Sequence, residues 1–513
     1  MFFDYLVLVI YVVMMVGVAI YTKNRSGSVD DFLLAGKKGL NGWMTAFAYG
    51  TTYFSAVIFI GYAGQFGKSF GLSSVWIGIG NAIIGTLIAW LVLAKRTKNM
   101  TTRLGSKTMP DFFEKRYGSK KLKLVSAIII FIFLIPYSAS VYNGLSALFE
   151  IVFNIPGWVV MLALAGLTAL YLFFGGYFAT ALSDFIQGII MIIGVVLMII
   201  CFLSTENVNW DISELVNNPK LTWFIVGAED TSIFGPAVSL ISLILLTSLG
   251  VWALPQTVHK YYAIRDKKAI TQGVVVSTAF ALLIGFIAYF TGALSHYFFD
   301  DVTLIPDTQV IPTMLAKVIP VGLTGVIAVL ILSASMSTLS SVSLASASVV
   351  AVDIYKDTGK PKTDKQVNTL MRILTIVFVA ISVIIAILNE KFNIAAIAYM
   401  MGVSWGTLAG CFMGPFVLGV CSKKVTKASV WASIISSLVL TVVLIIVLGY
   451  AKIGLASSFG AVLKAGVSCS PLIGVICMVF SIIITIVVSA FTKKPSEEII
   501  KNAFEKEVEG LIK

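Results

Sequence analysis

Long apolar runs, separated by short polar segments, dominate the sequence. Most runs reach about 20 residues, the length at which an α-helix crosses the hydrocarbon core of a bilayer. Runs of this length lack the two-residue alternation of membrane β-strands, which favours helices. The pattern predicts an all-α polytopic membrane protein with about 13 transmembrane helices, at residues 3–22, 42–67, 72–94, 124–153, 157–176, 179–203, 236–254, 269–297, 321–351, 368–389, 393–420, 428–450 and 471–492.

Two of the predicted spans contain residues that weaken a helix near its middle. The span 42–67 carries Gly-Thr-Thr at 50–52, and the span 236–254 carries a glycine at 250 that is followed by a proline at 255. The two spans lie five apart, and an odd offset reverses membrane direction, so they could correspond in two inverted five-helix repeats. Matched interruptions of this kind indicate an ion and solute site in transporters. The alternative is ordinary kinking, because Gly and Pro are common in membrane helices.

A row of small and hydroxylated residues lies within the predicted span 321–351. Ala334, Ser337, Thr338 and Ser341 are spaced i, i+3, i+4 and i+7, which places them on one face of a helix, and Ser340 adds a neighbouring hydroxyl. Neutral oxygens without a strong opposing charge suit a hard monovalent cation such as sodium better than a transition metal. The same row could instead serve close helix–helix packing, and the residues alone favour neither interpretation.

Composition and charge placement agree with a membrane protein. Hydrophobic residues make up 58% of the chain and charged residues 12%, whereas soluble domains carry about 25% charged residues. The net charge is +12, but 31 of the 37 Lys and Arg residues fall in or beside alternate segments between the predicted spans. The positive-inside rule makes those segments cytoplasmic. We therefore expect no nucleic-acid partner, and a multi-pass protein of the cell membrane with the N-terminus outside and the C-terminus in the cytoplasm.

Asp184 is the clearest acidic residue inside a predicted span. A carboxylate at that depth is costly and faces either a counter-charge or water, so a sodium ion is one natural partner. The alternative is an interfacial carboxylate that water reaches or that pairs with a loop lysine. We find no nucleophile–base set, no metal-ligand spacing among the five cysteines and two histidines, and no P-loop. The sequence therefore predicts a transporter driven by an ion gradient, not an enzyme.

Four segments together resemble the sodium:solute symporter family, and two more, LGVWALPQTVHKYYAIRDKKAITQG at 249–273 and IPDTQVIPTMLAKVIP at 305–320, resemble its pantothenate branch most and its proline branch next. The four segments are DDFLLAGKK at 30–38, TYFSAVIFIGYAG at 52–64, GGYFATALSDFIQG at 175–188 and ASMSTLSSVSLASAS at 334–348. The resemblance implies a LeuT-like 5+5 inverted repeat that works by alternating access. It divides the chain into a first helix and cytoplasmic loop at 1–41, a ten-helix transport core at 42–420, two additional helices at 421–492 and a cytoplasmic tail at 493–513.

The resemblance also assigns roles to individual residues. It places a sodium site at the backbone carbonyls of Thr51, Phe54 and Ala334 and at the hydroxyls of Ser337 and Thr338. Some family members bind a second sodium ion, and the matching residues here are Asp184, Ser340 and Ser341. Candidates for the solute pocket are Thr52, Ser55, Tyr137, Trp252 and Gln256.

These features predict a symporter that couples inward sodium movement to the import of a small organic solute. We expect a solute with a carboxylate, of the pantothenate, monocarboxylate or amino-acid kind, because the chain departs from the family's sugar carriers at Ile58 and Ser248. The pocket candidates include no Arg or Lys, so the carboxylate would bind freed backbone N–H groups, hydroxyls or the sodium ion itself. A sodium/sugar symporter is the alternative, and a membrane sensor or channel is a third. The partners are then sodium, the solute and the lipid bilayer, whereas the oligomeric state is left open.

Overall fold

The computed structural model describes residues 2–23, 28–34, 40–224, 232–320, 322–356, 362–392 and 394–512. Within these ranges the regular structure is helical. The α-helices are α1 Phe2–Thr22, α2 Val29–Leu34, α3 Gly42–Tyr53, α4 Ala63–Phe70, α5 Val75–Gly80, α6 Lys95–Leu104, α7 Met109–Tyr117, α8 Lys120–Phe153, α9 Gly157–Leu203, α10 Ser213–Asn217, α11 Pro236–Gly250, α12 Pro255–Tyr262, α13 Lys267–Ala293, α14 Val310–Val318, α15 Thr324–Ser348, α16 Asp364–Phe392, α17 Ile397–Phe412, α18 Gly419–Cys421, α19 Lys427–Ile453, α20 Phe459–Ser468, α21 Ser470–Phe491 and α22 Glu497–Ile500.

Shorter 3₁₀ and π segments extend or join several of these helices. The π segments are Val57–Tyr62, Asn81–Ile88, Trp90–Ala94, Val349–Tyr355, Met413–Leu418 and Lys501–Glu505, and the 3₁₀ turns are Gly71–Ser74, Leu294–Tyr297 and Val302–Leu304. Part of the DDFLLAGKK segment, residues 35–38, lies outside the described residues.

Eleven helical stretches in the described ranges are long and apolar enough to cross a bilayer. The prediction of an all-α polytopic membrane protein is therefore confirmed. Two stretches, Val57–Leu104 with 48 residues and Gly157–Leu203 with 47 residues, are far longer than one crossing requires. The second of them turns at Gly176, whose φ of 57° and ψ of −151° are not helical. This turn lies at the predicted boundary between the spans 157–176 and 179–203.

Both predicted helix interruptions are present. α3 ends at Tyr53, Phe54 is extended with φ −104° and ψ 110°, and helical structure resumes at Val57. α11 ends at Gly250, and α12 begins at Pro255, which occupies the first turn where a missing N–H costs nothing. The helical stretch extends beyond the predicted end of this span at residue 254, because α12 continues it to Tyr262.

The serine-rich helix α15 lies at the centre of the molecule. Of its most apolar window, 89% is buried, whereas the corresponding share for the peripheral α1 is 28%. α15 packs against α8, α9 and α1 and also contacts α3 and α12. Polar side chains on this helix must therefore find partners inside the protein, since neither water nor lipid surrounds them.

The described part of the tail, residues 493–512, folds back onto the preceding structure. The Asn99 side chain exchanges two hydrogen bonds with the Ile512 backbone, at 2.9 Å and 2.8 Å. Lys423 forms an ion pair of 2.6 Å with Glu505, and the Arg116 guanidinium lies 5.1 Å from the centre of the Phe504 ring. The tail thereby connects the segment that contains Asn99 and Arg116 with the segment that contains Lys423.

Replacing Gly176 by alanine tests the turn inside α9. An added Cβ would lie 2.8 Å from Phe32 Cδ2, at a backbone conformation that L-residues rarely adopt. We expect Gly176→Ala to destabilise the protein by at least about 1 kcal/mol and to lower its unfolding temperature in detergent. Gly166→Ala on the same helix is the control, because its Cβ would meet nothing within 4 Å. Equal unfolding temperatures for the two variants would contradict the non-helical conformation at Gly176.

Candidate functional site

The interruption after α3 leaves backbone groups outside the helical pattern. In a continuous helix the Ile58 N–H would bond to the Phe54 carbonyl, four residues earlier. Here the N–H groups of Ile58 and Phe59 both bond to the Ser55 carbonyl, at 3.0 Å and 3.3 Å. The Ser55 hydroxyl accepts from the Val57 N–H at 3.3 Å and begins the second half of the span. The Phe54 carbonyl is thus bypassed by the N–H groups of Ile58 and Phe59.

Hydroxyls of α15 reach this interruption. Ser337 Oγ lies 2.9 Å from the Thr51 carbonyl and 3.1 Å from the Ala334 carbonyl. Thr338 Oγ1 lies 3.3 Å from the carbonyl of Thr52, an oxygen that sequence reasoning did not include. All of these residues are buried. Neutral hydroxyl and carbonyl oxygens therefore converge in a buried place, which is a donor set suited to a hard monovalent cation.

A buried ion pair lies beside these oxygens. Lys260 on α12 is 3.4 Å from Asp184 on α9, measured Nζ to Oδ2, and the two side chains are 1% and 0% exposed. Lys260 Nζ also donates to Ser341 Oγ at 2.8 Å, and Ser341 Oγ lies 2.9 Å from Thr52 Oγ1. The Tyr177 ring covers the ammonium, with 5.2 Å between Nζ and the ring centre.

The helix of Asp184 approaches the interrupted span closely. A Cβ on Gly188, one turn after Asp184, would lie 2.2 Å from Phe47 and 3.1 Å from Thr51. Glycine at this position therefore permits the contact between α9 and α3. Ser340, which was predicted together with Asp184 and Ser341, instead donates to the Ser337 carbonyl at 2.9 Å.

Sequence reasoning missed Lys260 as part of the site. It was counted with the cytoplasmic charges because the span was ended at residue 254, whereas α12 carries it into the protein. Sequence analysis offered a loop lysine as an alternative partner for Asp184. Asp184 does pair with a lysine, but Lys260 lies on α12 and not in a loop. Pro255 could have indicated that the helix continues to Lys260, since a proline at this point begins a new helix as readily as it ends one.

Three aromatic side chains, which we term the aromatic box, lie at the two interruptions. The Trp405 ring is 6.0 Å from Tyr53 and 5.5 Å from Tyr137, measured between ring centres. A Cβ on Gly250, at the end of α11, would lie 3.7 Å from Trp405. Tyr53 donates its hydroxyl proton to the Thr247 carbonyl and so ties the two interrupted spans together.

Two polar groups of the aromatic box lack partners within the described part of the chain. They are the Tyr137 hydroxyl and the Trp405 indole N–H, and both are buried. The Tyr137 hydroxyl faces Ser55 and the sodium-site candidate Thr338. Buried polar groups are normally satisfied, so the Trp405 N–H, which has no hydroxyl partner of this kind among the described residues, indicates a place for a polar ligand beside the Tyr137 hydroxyl. Sequence reasoning named Tyr137 but not Trp405.

The other predicted pocket residues have different surroundings. Trp252 is partly buried, and its indole N–H donates to the Ile84 carbonyl at 3.0 Å. Gln256 is buried, and its Oε1 has no partner among the described residues. The Thr52 hydroxyl is engaged with Ser341 and also donates to the Ala48 carbonyl at 2.6 Å. Ser55 accepts a backbone N–H, which leaves its own proton available to a ligand.

The profile of the sodium:solute symporter family matches residues 32–436. Among similar proteins, the osmoregulated proline transporter OpuE of Bacillus subtilis (strain 168) is 28% identical over 498 residues, which cover 95% of this chain and 94% of that protein. A sodium/pantothenate symporter of Haemophilus influenzae is 28% identical over 426 residues, or 80% of this chain and 84% of that protein.

Among solved structures, a Na⁺-coupled sialic acid symporter in a substrate-bound, outward-open state has the same fold. Its TM-score is 0.76 at 19% identity, over 97% of this chain and 99% of that chain. At this identity the likeness concerns the fold alone.

The Lys260–Asp184 pair can be tested through stability, without reference to transport. Breaking a buried pair leaves an uncompensated charge, so Asp184→Asn should cost about 3–5 kcal/mol, whereas adding Lys260→Gln should recover much of that loss. Unfolding temperatures in detergent with potassium as the only alkali cation measure both variants. Ser183→Ala is the control, because the partner of that buried hydroxyl among the described residues is Thr180 of its own helix. If the loss of stability in the double variant equals the sum of the losses in Asp184→Asn alone and Lys260→Gln alone, the pairing is contradicted.

Proposed function

The chain belongs to the sodium:solute symporter family, and on that premise we propose that it couples inward sodium movement to the import of a small organic solute bearing a carboxylate. It is a multi-pass membrane protein with sodium as its coupling ion. The observation that carries the proposal is the approach of the Ser337 and Thr338 hydroxyls to carbonyls of the interrupted span.

In the proposed sodium site, the Ser337 and Thr338 hydroxyls turn their protons away from the carbonyls of the interrupted span, and the ion takes the place of these hydrogen bonds. The ligands are the carbonyls of Thr51, Phe54 and Ala334 and the hydroxyls of Ser337 and Thr338. The bound sodium ion then holds α15 against the interrupted span, because both supply its ligands. Because the same interruption carries Ser55 beside the aromatic box, binding of the ion fixes the backbone that faces the solute. This shared segment couples the two ligands.

The electrical gradient suffices for accumulation with a single ion. At about −100 mV one inward sodium ion supplies about 2.3 kcal/mol. A tenfold solute gradient costs about 1.4 kcal/mol. The sodium concentration gradient adds to this driving force.

We place the solute between the aromatic box and the first interruption. The Tyr137 hydroxyl, the Trp405 N–H and the Ser55 hydroxyl supply donors there, and a carboxylate accepts from donors of this kind. The nearby cation, Lys260, is held by Asp184. A carboxylate therefore depends on these donors and on bound sodium, which distinguishes this site from one that pairs the solute with an arginine.

We further propose thirteen crossings in a 5+5 inverted repeat, with the N-terminus outside and the C-terminus in the cytoplasm. The stretches Val57–Leu104 and Gly157–Leu203 each have the length of two crossings, which raises eleven stretches to thirteen spans. The repeats would then fall within residues 42–420, each with one interrupted helix as its first member. Two further helices at 421–492 and the tail at 493–513 complete this division.

The double variant Ser337→Ala/Thr338→Ala tests the sodium site. Loss of two ligand oxygens should raise the sodium concentration for half-maximal uptake by more than about tenfold, or about 1.4 kcal/mol. Sodium titration of uptake into proteoliposomes measures this. Ser335→Ala is the matched control, since within the described ranges this buried hydroxyl of the same helix bonds to Ile331 one turn earlier. A double variant with the sodium dependence of the control would refute the assignment.

The variant Trp405→Phe tests the solute pocket, because it keeps an aromatic ring and removes only the N–H. A thermal-shift screen with L-proline, pantothenate and D-glucose, with and without sodium, first selects the solute. We expect a carboxylate that binds only with sodium, and about tenfold weaker binding in Trp405→Phe. Trp90→Phe is the control, because its indole N–H is equally buried and unpartnered among the described residues but lies outside the aromatic box. Sodium-dependent binding of D-glucose, with no response to either acid, would instead favour the sugar alternative.

A further inference from the structure

The ion pair of Lys260 and Asp184 occupies the place that the sequence resemblance assigns to a second sodium ion. Asp184, Ser340 and Ser341 were the expected ligands of that ion. The Lys260 ammonium binds Asp184 at 3.4 Å and Ser341 at 2.8 Å, whereas Ser340 donates to the Ser337 carbonyl. Asp184 Oδ2 and the Ser341 hydroxyl are therefore already engaged by a cation of the chain itself, whereas Asp184 Oδ1 has no hydrogen-bond partner among the described residues.

The surroundings of Lys260 suit an ammonium group. An ammonium has three N–H donors and no acceptor. Asp184 and Ser341 take two of these donors, and the face of the Tyr177 ring lies 5.2 Å from Nζ, within the range of a cation–π contact. The 1% exposure of the lysine side chain excludes a competing water shell. The site is thus built around this ammonium.

Charge balance opposes a sodium ion beside the lysine. Asp184 supplies one negative charge, and Lys260 is its ion-pair partner among the described residues. A sodium ion on the same carboxylate would place two positive charges a few ångströms apart in a medium that screens them poorly. The residues present therefore do not fit a second sodium ion while Lys260 stays where it is.

We propose that Lys260 serves as a tethered cation in place of the second sodium ion, so that the protein binds and moves one sodium ion per solute. The inference rests on the proposed function and concerns the stoichiometry of that transport. Lys260 holds Asp184 on α9, Ser341 on α15 and, through Ser341, Thr52 on the interrupted span. It thus joins the helices that a second ion would join, but it cannot leave with the solute.

Removing the lysine should create the second site. In Lys260→Ala, the carboxylate of Asp184 and the hydroxyl of Ser341 become available to sodium. Saturation binding of ²²Na⁺ to the purified protein should rise from one ion per chain in the wild type to two in Lys260→Ala. The count should return to one in Lys260→Ala/Asp184→Asn and stay at one in Lys260→Arg. Lys98→Ala is the matched control, because Lys98 donates to Tyr262 on the same α12 without being a partner of Asp184, and its count should remain one.

Folding of each variant is checked by size-exclusion chromatography in sodium and in potassium. Lys260→Ala should also be stabilised by sodium more than the wild type is, since the ion replaces the missing charge. Two ions bound by the wild type, or one ion bound by folded Lys260→Ala, would overturn the inference. If Lys260→Ala does not fold in either salt, the wild-type count and the folded Lys260→Gln variant decide by the same criteria. A wild type that binds no sodium would instead overturn the proposed function, so the two failures are distinguishable.

Discussion

The contact between α15 and the interrupted span beside it is the constraint on which the rest of the structure depends. Interrupting a helix inside a membrane protein frees backbone carbonyls that neither lipid nor bulk water can satisfy. The hydroxyls of Ser337 and Thr338 supply the missing partners. α15 must therefore lie in the centre, and the surrounding helices must pack closely around it, as Gly188 allows for α9. An ion that competes for these oxygens acts directly on the packing of the core.

A second constraint comes from the two opposite charges that are buried beside this contact. Lys260 and Asp184 belong to different helices, and Ser341 links their pair to Thr52 at the interruption. Unpaired, each charge would be very costly in this environment, so the pair fixes how α12, α9 and α15 meet. A cation supplied by the chain gives this support permanently, whereas a bound ion gives it only during part of a transport cycle. In the proposed arrangement, the oxygen site at Ser337 and Thr338 takes the mobile ion, whereas the carboxylate of Asp184 is held by Lys260 of the chain itself.

The apolar runs and the helix-breaking residues were sufficient to predict the fold class and both interruptions. Membrane helices must satisfy their backbone internally, so run length and Gly or Pro positions carry most of the information. The hydroxyl face of α15 was equally visible, because helical spacing places Ser337 and Thr338 together. Lys260 and Trp405 were not visible in the same way. Their roles depend on which helices become neighbours, and a lysine shortly after a hydrophobic run has the same sequence pattern as a cytoplasmic loop charge.

Hydrogen–deuterium exchange in sodium and in potassium tests the central claim most directly. The amides that follow the first interruption, from Phe54 to Phe59, report on the freed backbone, and those of α15 report on its docking. The account predicts that sodium slows exchange in these two segments together, because one ion holds both. The peripheral helix α19 should exchange equally in the two salts. Identical exchange of the interrupted span in sodium and potassium, in protein that still transports its solute with sodium, would contradict the account.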